Sequence, residues 1–478
     1  MHQDDWIILI FTILFIVVYG SYKTRKNKNI QSFLKGDNSS NWFTIGISVM
    51  ATQASAITFL STPGQGYYDG MGFLQFYLGL PLAMIIICIF FVPLYHKLKI
   101  YTAYEFLENR FDRKTRTLGA ILFLVQRGLA AGITIFAPSI ILSTVLGIDI
   151  KILNFLVGFL VIVYTVSGGT KAVNITQKQQ MFVIFLGLFF VFFFLIDKYP
   201  ENLTISKFLD YSRSSEKFKI LDFSLDLNNR YTFWSGITGG LFLALSYFGT
   251  DQSQVQRYIS GKSVKEIRLG LIFNGVFKIP MQFFILLLGV MVFVFFEFNT
   301  SPINFNPQVI SHLEKKHNNE FNIISKQYDE INSEKRRLQE NFLVGEMDFP
   351  SELNSLQTKE KEIRNDVKEL VSSTENAIEK NDKDYVFLHF ILNYLPKGLI
   401  GLLIAVIICA AMSSTASELN ALAATTTIDL YKRNHNQKKT EKHYLVATKL
   451  FTVMWGIIAI IFASFGTLFE NLIQLVNI

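Results

Sequence analysis

An apolar run beginning near Leu399 is interrupted by "CAAMSSTASELNA", Cys409 to Ala421, which carries the hydroxyls of Ser413, Ser414, Thr415 and Ser417 and the carboxyl of Glu418. Hydroxyl and carbonyl oxygens are hard donors of the type that suits a hard cation. Ala410, Ser413 and Ser414 are three and four residues apart, so they share one helical face. A second stretch, "ISVMATQASAITFLSTPGQGYYDG" from Ile47 to Gly70, is rich in small and polar residues and includes Pro63-Gly64. A helix of this composition can unwind locally and expose carbonyl oxygens, which a membrane tolerates only inside protein or beside a water-filled cavity. Two carbonyls from the interrupted helix, with one carbonyl and two hydroxyls from the serine face, make a cage of five oxygens. Such a cage needs no formal charge and fits a small monovalent cation better than calcium. Both stretches also have purely structural readings. Small residues let helices pack closely, and a serine in a membrane helix can bond back to the i−4 carbonyl.

The elements that must hold these residues are membrane helices. Half of the 478 residues are hydrophobic, 46 are phenylalanine, and only 17% are charged. Many of those charges fall in one block between Glu314 and Lys383, so the remainder is more apolar still. A spanning helix needs about 20 mostly apolar residues. Ten segments meet or approach that length: 6–22, 42–66, 73–95, 117–146, 151–168, 177–197, 232–250, 269–297, 396–428 and 444–466. An eleventh begins at Leu468 and is too short to span by Ile478, so the core is expected to be C-terminally incomplete. Lys and Arg cluster in alternate short loops: 23–28, 97–116, 171–178, 257–268 and 432–439. The positive-inside rule places these loops in the cytoplasm, the N-terminus outside, and the chain in the inner (plasma) membrane as a multi-pass protein. The same clustering argues against nucleic acid as a partner of the net charge of +7. Cys88 and Cys409 both lie in apolar runs, which excludes a disulfide framework or zinc site.

The domain reading follows from these spans: 1–310 holds segments one to eight, 311–383 is an external polar hairpin, and 384–478 holds segments nine, ten and the start of the eleventh. In the hairpin, Ile324, Tyr328, Ile331 and Leu338, then Leu356, Ile363, Val367, Leu370 and Ile378, recur at helical spacing around the break "VGEMDFP". They predict two helices packed on each other, with docking of a partner as the other reading. Because loop-closure entropy grows slowly with length, removal of the hairpin is expected to be tolerated.

Two cations lie inside apolar runs, Arg127 and Lys278. Intramembrane charges default to function, with a partner to be named. Arg127 has the planar fork to clamp a carboxylate, whereas the structural alternative is an internal ion pair such as Lys278 with Asp251. "ISGKS" ends like a phosphate-binding loop, but Gln256 stands where its first glycine must be. No GxSxG, HExxH or CxxC occurs, so an enzyme is not expected.

"VMATQASAITFLSTPG", "YTVSGGTKAVNITQ", "YFGTDQSQVQRYISGKS" and "AAMSSTASELNALAATTTIDLYKR" closely resemble stretches of the sodium/solute symporter family, in the same order. The resemblance runs from about residue 6 to 478, apart from 311–383. It implies an all-α polytopic membrane protein with a leucine-transporter-type core of two inverted five-helix repeats and midplane sites between broken helices. It further implies Na+ on the carbonyls of Ala51, Ala54 and Ala410 and the hydroxyls of Ser413 and Ser414, with Glu418 outside the cage. Relatives with a second sodium ion carry an aspartate where Gln177 stands, which implies one ion per cycle. Sugar-transporting relatives use glutamine and glutamate where Thr58 and Tyr77 stand, whereas sialic acid relatives use serine, threonine and an arginine matching Ser55, Thr58 and Arg127. Together with Asp251 and Lys278 these form the expected solute set. The function expected is sodium-coupled symport of a small organic solute, an anion such as a monocarboxylate or sialic acid, by alternating access. A non-transporting sensor or a truncated remnant of a symporter is the alternative.

Overall fold

The computed structural model describes residues 1–25, 29–226, 228–344, 351–372, 381–433 and 439–465. Among the described residues the elements are all helices, with one isolated β-bridge, Ser40 to Gly261. In order, α1 is Gln3–Thr24, α2 Ile30–Lys35, α3 Trp42–Gln53, α4 Ala56–Asp69 and α5 Gly79–Ile86. A π-helical turn, Ile87–Phe91, joins α5 to α6 (Val92–Leu98), followed by α7 (Glu105–Arg110) and α8 (Arg113–Leu146). Next are α9 (Ile150–Lys198), α10 (Ile205–Ser214), α11 (Phe233–Gly249), α12 (Gln252–Tyr258) and α13 (Val264–Glu297). The remainder is α14 (Pro307–Lys316), α15 (Asn318–Val344), α16 (Ser351–Ser372), α17 (Lys383–Tyr394), α18 (Leu399–Thr425) and α19 (Glu441–Phe465). The eleventh segment, the "GEMDFP" break and Ile378 lie outside the described residues.

Among the described residues seven helices are long and apolar enough to cross a membrane, against ten apolar segments in the sequence. The difference has local causes. Segment 42–66 is cut at Ala54 (φ −83°, ψ 82°), where α3 ends, and Ser55 is extended before α4 begins. Segment 232–250 stops at Gly249, because Asp251 caps a new helix by accepting from the Ser253 amide at 2.8 Å. Segments 151–168 and 177–197 run together through α9, but Gly169, at φ +53° and ψ −138°, reverses the chain. A Cβ at that φ would be strained, and it would also meet the Phe33 carbonyl at 2.3 Å.

Neighbouring contacts fix the directions. Gly128 faces Trp455 and Gly132 faces Phe462, so α8 and α19 run parallel. The first half of α9 opposes them, with Asn154 donating to the Ala463 carbonyl at 3.0 Å and Gly456 against Ile162. Its second half opposes α18, with Gln177 on the Ser413 carbonyl and Gly187 against Leu403 and Val406. Basic loops therefore meet on one face: Lys35 donates to the Lys99 carbonyl at 2.6 Å, and Glu108 accepts from both Arg116 and Arg433. At the centre stands α18, buried almost continuously from Leu403 to Thr425. Glycines bring α4 and α13 into backbone contact, since a Cβ at Gly66 would lie 2.4 Å from the Leu286 carbonyl oxygen and one at Gly289 2.1 Å from that of Pro63.

On the opposite face, the insertion departs from simple self-packing. Tyr328, Ile363 and Val367 form a core with Val309 and Leu313 of α14. Leu338, Phe342, Leu353 and Leu356, however, join the main transmembrane core. At that junction Lys335 donates to Glu297 at 2.9 Å and to Glu360 at 2.5 Å, while Arg364 donates to Glu360 at 2.9 Å. Beyond it, Asp382 accepts from Tyr68 Oη at 2.9 Å and Lys383 pairs with Asp69 at 2.5 Å, which ties the C-terminal end of α4 to α17. Excising 311–383 would strip both contacts, so loop entropy alone does not decide tolerance.

Burial pushes the Glu360 carboxyl up, but Lys335 and Arg364 beside it outweigh this and hold it down. A depressed carboxyl stabilises docking above its usual range near 4.5 and loses that contribution as pH falls toward about 2. Lys335, held above its usual 10.5 by Glu297 and Glu360 against burial, contributes fully below that value and loses it only as pH rises beyond. Thermal melting of the purified protein is thus expected to weaken on acidification below about pH 4.5, and Glu360→Gln should flatten that acid limb. An unchanged acid limb in the variant would remove Glu360 from the latch.

Candidate functional site

The break at Ala54 lies against the serine-bearing face of α18. Ser413 Oγ donates to the Ala51 carbonyl at 3.0 Å, across two helices. Ser414 Oγ donates to the Ala410 carbonyl at 3.1 Å, the back-bond available to any helical serine. Ala51, Ala54, Ala410, Ser413 and Ser414 are all buried. The structure thus joins Ala51 to Ser413 and Ala410 to Ser414, with Ala54 at the point where the helix stops. These neutral oxygens fit a monovalent cation, since a hydroxyl can rotate its hydrogen away and offer lone pairs instead. Thr415 points elsewhere, donating to the Ala411 carbonyl at 2.9 Å.

Gln177 sits one layer away. Its Oε1 accepts from Ser48 Oγ, and its Nε2 donates to Ser417 Oγ at 2.9 Å, Thr52 Oγ1 at 3.0 Å and the Ser413 carbonyl at 3.2 Å. The amide NH2 thus faces three oxygens that also bond among themselves, Ser417 Oγ lying 2.8 Å from Thr52 Oγ1 and 3.4 Å from the Ser413 carbonyl. No group of three or more His, Cys, Asp or Glu able to hold a metal occurs among the described residues.

Two cavities flank the break. One, of about 200 Å³, is bordered by Ser55, Ala56, Arg127, Thr134, Ser414 and Glu418. The other, of about 520 Å³, is bordered by Tyr77, Tyr104, Phe123, Ser246 and Asp251. Gln53, Arg127 and Tyr247 line both and form the wall between them. Thr58 and Lys278 line neither.

Arg127 reaches two carboxylates, pairing with Asp251 and with Glu418 at 3.1 Å. The suggested pair Lys278–Asp251 is therefore not formed: α12 begins at Asp251, which turns its carboxylate to Arg127. Lys278 is fully buried, its Nζ makes no hydrogen bond among the described residues, and the nearest aromatic face is Tyr77, 5.9 Å away. Asn274 and Gln282, one turn to either side of it, are equally buried with their amides unsatisfied. The partner missed from sequence is Glu418. A carboxylate inside an apolar run demands a cation, and that demand was the signal available.

The triad of one guanidinium and two carboxylates implies a cost when only the cation is removed. Arg127→Gln leaves two buried carboxylates unpaired and is expected to destabilise by about 3–5 kcal/mol. Adding Glu418→Gln should recover part of that loss. Melting temperatures of wild type, both single variants and the double variant give the coupling, and strictly additive effects would show that the two side chains do not interact.

The family model for the sodium:solute symporter family matches residues 33–325 and 370–478, leaving unmatched a gap within α15 and α16. Human sodium-coupled monocarboxylate transporter 2 is 32% identical over 274 residues, covering 56% of this chain and 44% of that protein. The human sodium/iodide cotransporter is 31% identical over 272 residues, covering 56% and 41%. The chain therefore spans less than half the length of these curated relatives. A Na+-coupled sialic acid symporter, solved in a substrate-bound outward-open state, superposes with a TM-score of 0.74 over 98% of this chain and 83% of that one, at 23% identity. That likeness establishes the fold. With the match running through both broken helices and the serine face of α18, the chain belongs to the sodium:solute symporter family.

Proposed function

We propose that the chain couples inward movement of one sodium ion to uptake of a small organic anion, of about monocarboxylate size, by alternating access across the inner (plasma) membrane. The observation that carries this reading is the Ser413 hydroxyl on the Ala51 carbonyl at the break between α3 and α4. It brings hard oxygens from two helices to one buried point beside a cavity, which is what a desolvated monovalent cation requires. Ala54, Ala410 and Ser414 complete the proposed cage.

For the solute, the cavity bordered by Ser55, Arg127 and Ser414 is the proposed pocket, and its volume of about 200 Å³ favours a small molecule. Arg127 borders this pocket and is the cation we assign to the anion, in exchange for one of its two carboxylates, whereas Lys278 lines neither cavity and has no hydrogen-bond partner among the described residues. Thr58 and Asp251 take supporting places in this assignment. Sodium-coupled transport of monocarboxylates and iodide by the relatives supports an anion. Breaks at matching positions in α3/α4 and α11/α12 support a leucine-transporter-type inverted repeat. The shared face of basic loops supports a cytoplasmic side there and an external N-terminus.

The energetics bound the stoichiometry. A potential of about 100 mV supplies roughly 2.3 kcal/mol per charge, and a tenfold sodium gradient adds about 1.4 kcal/mol. One sodium with one monovalent anion is electroneutral, so the electrical part cancels and about tenfold accumulation remains. Gln177 supports one ion rather than two, because its amide NH2 faces the oxygens next to the cage.

The test is a sodium titration of solute uptake in proteoliposomes, using candidate monocarboxylates and sialic acid. Ser413→Ala and Ser414→Ala should raise the half-saturating sodium concentration by roughly 5- to 150-fold and weaken apparent solute affinity by linkage, whereas Thr415→Val should not. Wild-type sodium dependence in both serine variants would displace the cage. Solute binding without sodium-dependent uptake would favour a sensor.

A second series addresses stoichiometry. Gln177→Asp replaces the amide donor by a carboxylate facing Ser48, Thr52 and Ser417, and should turn a hyperbolic sodium dependence sigmoidal. A curve that stays hyperbolic at higher affinity would mean that the aspartate tightens one site instead of opening another.

A further inference from the structure

From the proposed sodium cage a file of buried polar groups leads toward the basic face. Gln177 bonds to the Ser413 carbonyl on one side and accepts from Ser48 on the other. The same Ser48 Oγ lies 2.9 Å from Asn174 Oδ1 and shares its one hydrogen between the two amide oxygens. Asn174 Nδ2 in turn reaches Ser40 Oγ at 3.2 Å and Ser260 Oγ at 3.4 Å. There the Ser40–Gly261 bridge closes the file, with the Lys262 amide donating to the Ser40 carbonyl at 3.0 Å. The bridge joins the chain just before α3 to the chain just after α12, the inner halves of the two broken helices.

Arg257, on α12, stands at this inner end. It is fully buried, and no carboxylate pairs with it among the described residues. Its Nη1 meets Asn174 Oδ1 at 3.4 Å, and with the Asn420 amide turned toward it Nη2 meets Oδ1 at 2.6 Å, while Nε has no partner among the described residues. Uncharged side chains could link α9, α12 and α18 through the same amides, so the linkage does not account for a buried charge. An uncompensated guanidinium in this environment is expensive and marks function. Both amides present oxygen to it, one to each terminal nitrogen, and oxygen dipoles so turned disfavour an anion site. What its charge does at this place is repel any cation in the file, at short range and in a low dielectric.

We propose that Arg257 is the charge barrier at the inner end of the sodium route, a role that rests on the sodium-coupled reading above. While the Ser40–Gly261 bridge holds, the guanidinium blocks departure of the ion toward the basic face. When α3 and α12 part, Arg257 is carried away with α12 and the hydroxyls of Ser48, Ser40 and Ser260 become a path. Sodium then leaves only in the conformation that also frees the solute, and coupling is protected from slippage.

The experiment traps radioactive sodium in proteoliposomes containing the full chain, without solute, and follows its loss. Arg257→Gln is expected to speed the loss by roughly tenfold or more, the scale set by one close charge. Arg257→Lys keeps the charge and should retain sodium as wild type does. Asn174→Asp leaves the arginine in place, cancels its field and should leak, which decides the matter if Arg257→Gln fails to insert. Loss at the wild-type rate in Arg257→Gln, or equal leaks in the Gln and Lys variants, would overturn the barrier and leave Arg257 a packing element. Solute uptake measured in parallel separates the two ideas: uptake indifferent to sodium in wild type defeats the symport reading, while the leak series still judges the barrier.

Discussion

A backbone carbonyl that loses its helical partner inside a bilayer has no water to turn to, and much of this molecule is arranged around that constraint. At Ala54 the helix stops in the middle of the bundle, and the oxygens near the stop are met by α18, whose Ser413 hydroxyl reaches Ala51. That encounter explains why hydroxyls interrupt an apolar run, and why α18 is the most enclosed span of the seven. Each further polar group then needs its own partner. Gln177 answers Ser413, Ser417 and Thr52; Glu418 and Asp251 answer Arg127. In such networks losing one member strands the others, and here Arg127 Nε and Glu418 Oε2 already lack a partner among the described residues.

The two ends of the broken helices are held by different chemistry. On the basic face the ends of α3 and α12 are held by the Ser40–Gly261 bridge with serine and asparagine side chains behind it, by Glu266 accepting from the Trp42 amide, and by Gln252 and Gln256 on neighbouring backbone. On the opposite face the hold is broad and ionic, with Asp382, Lys383 and the Lys335–Glu360–Arg364 cluster set over the ends of α4 and α13. The inserted helices α15 and α16 supply much of it, in a part of the chain that the family pattern largely leaves out.

How much was legible in the sequence varies by residue. Apolar length located the helices, and the small-residue stretch around Ala54 marked the break, because both signals are local. Gly168-Gly169 is also a local turn signal, and the reversal of α9 follows it. Glu418 was visible as an anomaly, but its partner Arg127 lies 291 positions away, and Asp251 lies 124 positions from Arg127. Such pairs depend on how helices cross, which periodicity does not encode. In the hairpin the apolar stripe reads the same whether it faces its own partner helix or the bundle. Tyr328 does the first and Leu338 the second, although both fit one helical repeat.

The glycine contacts between α4 and α13 carry a consequence of their own. Gly66 on Leu286 and Gly289 on Pro63 leave no side chain between the two backbones. Helices in such contact have no side-chain layer between them. Ser55, which opens α4, borders the smaller of the two cavities. One wall of the proposed pocket therefore belongs to a helix set against its neighbour by backbone rather than by side chains.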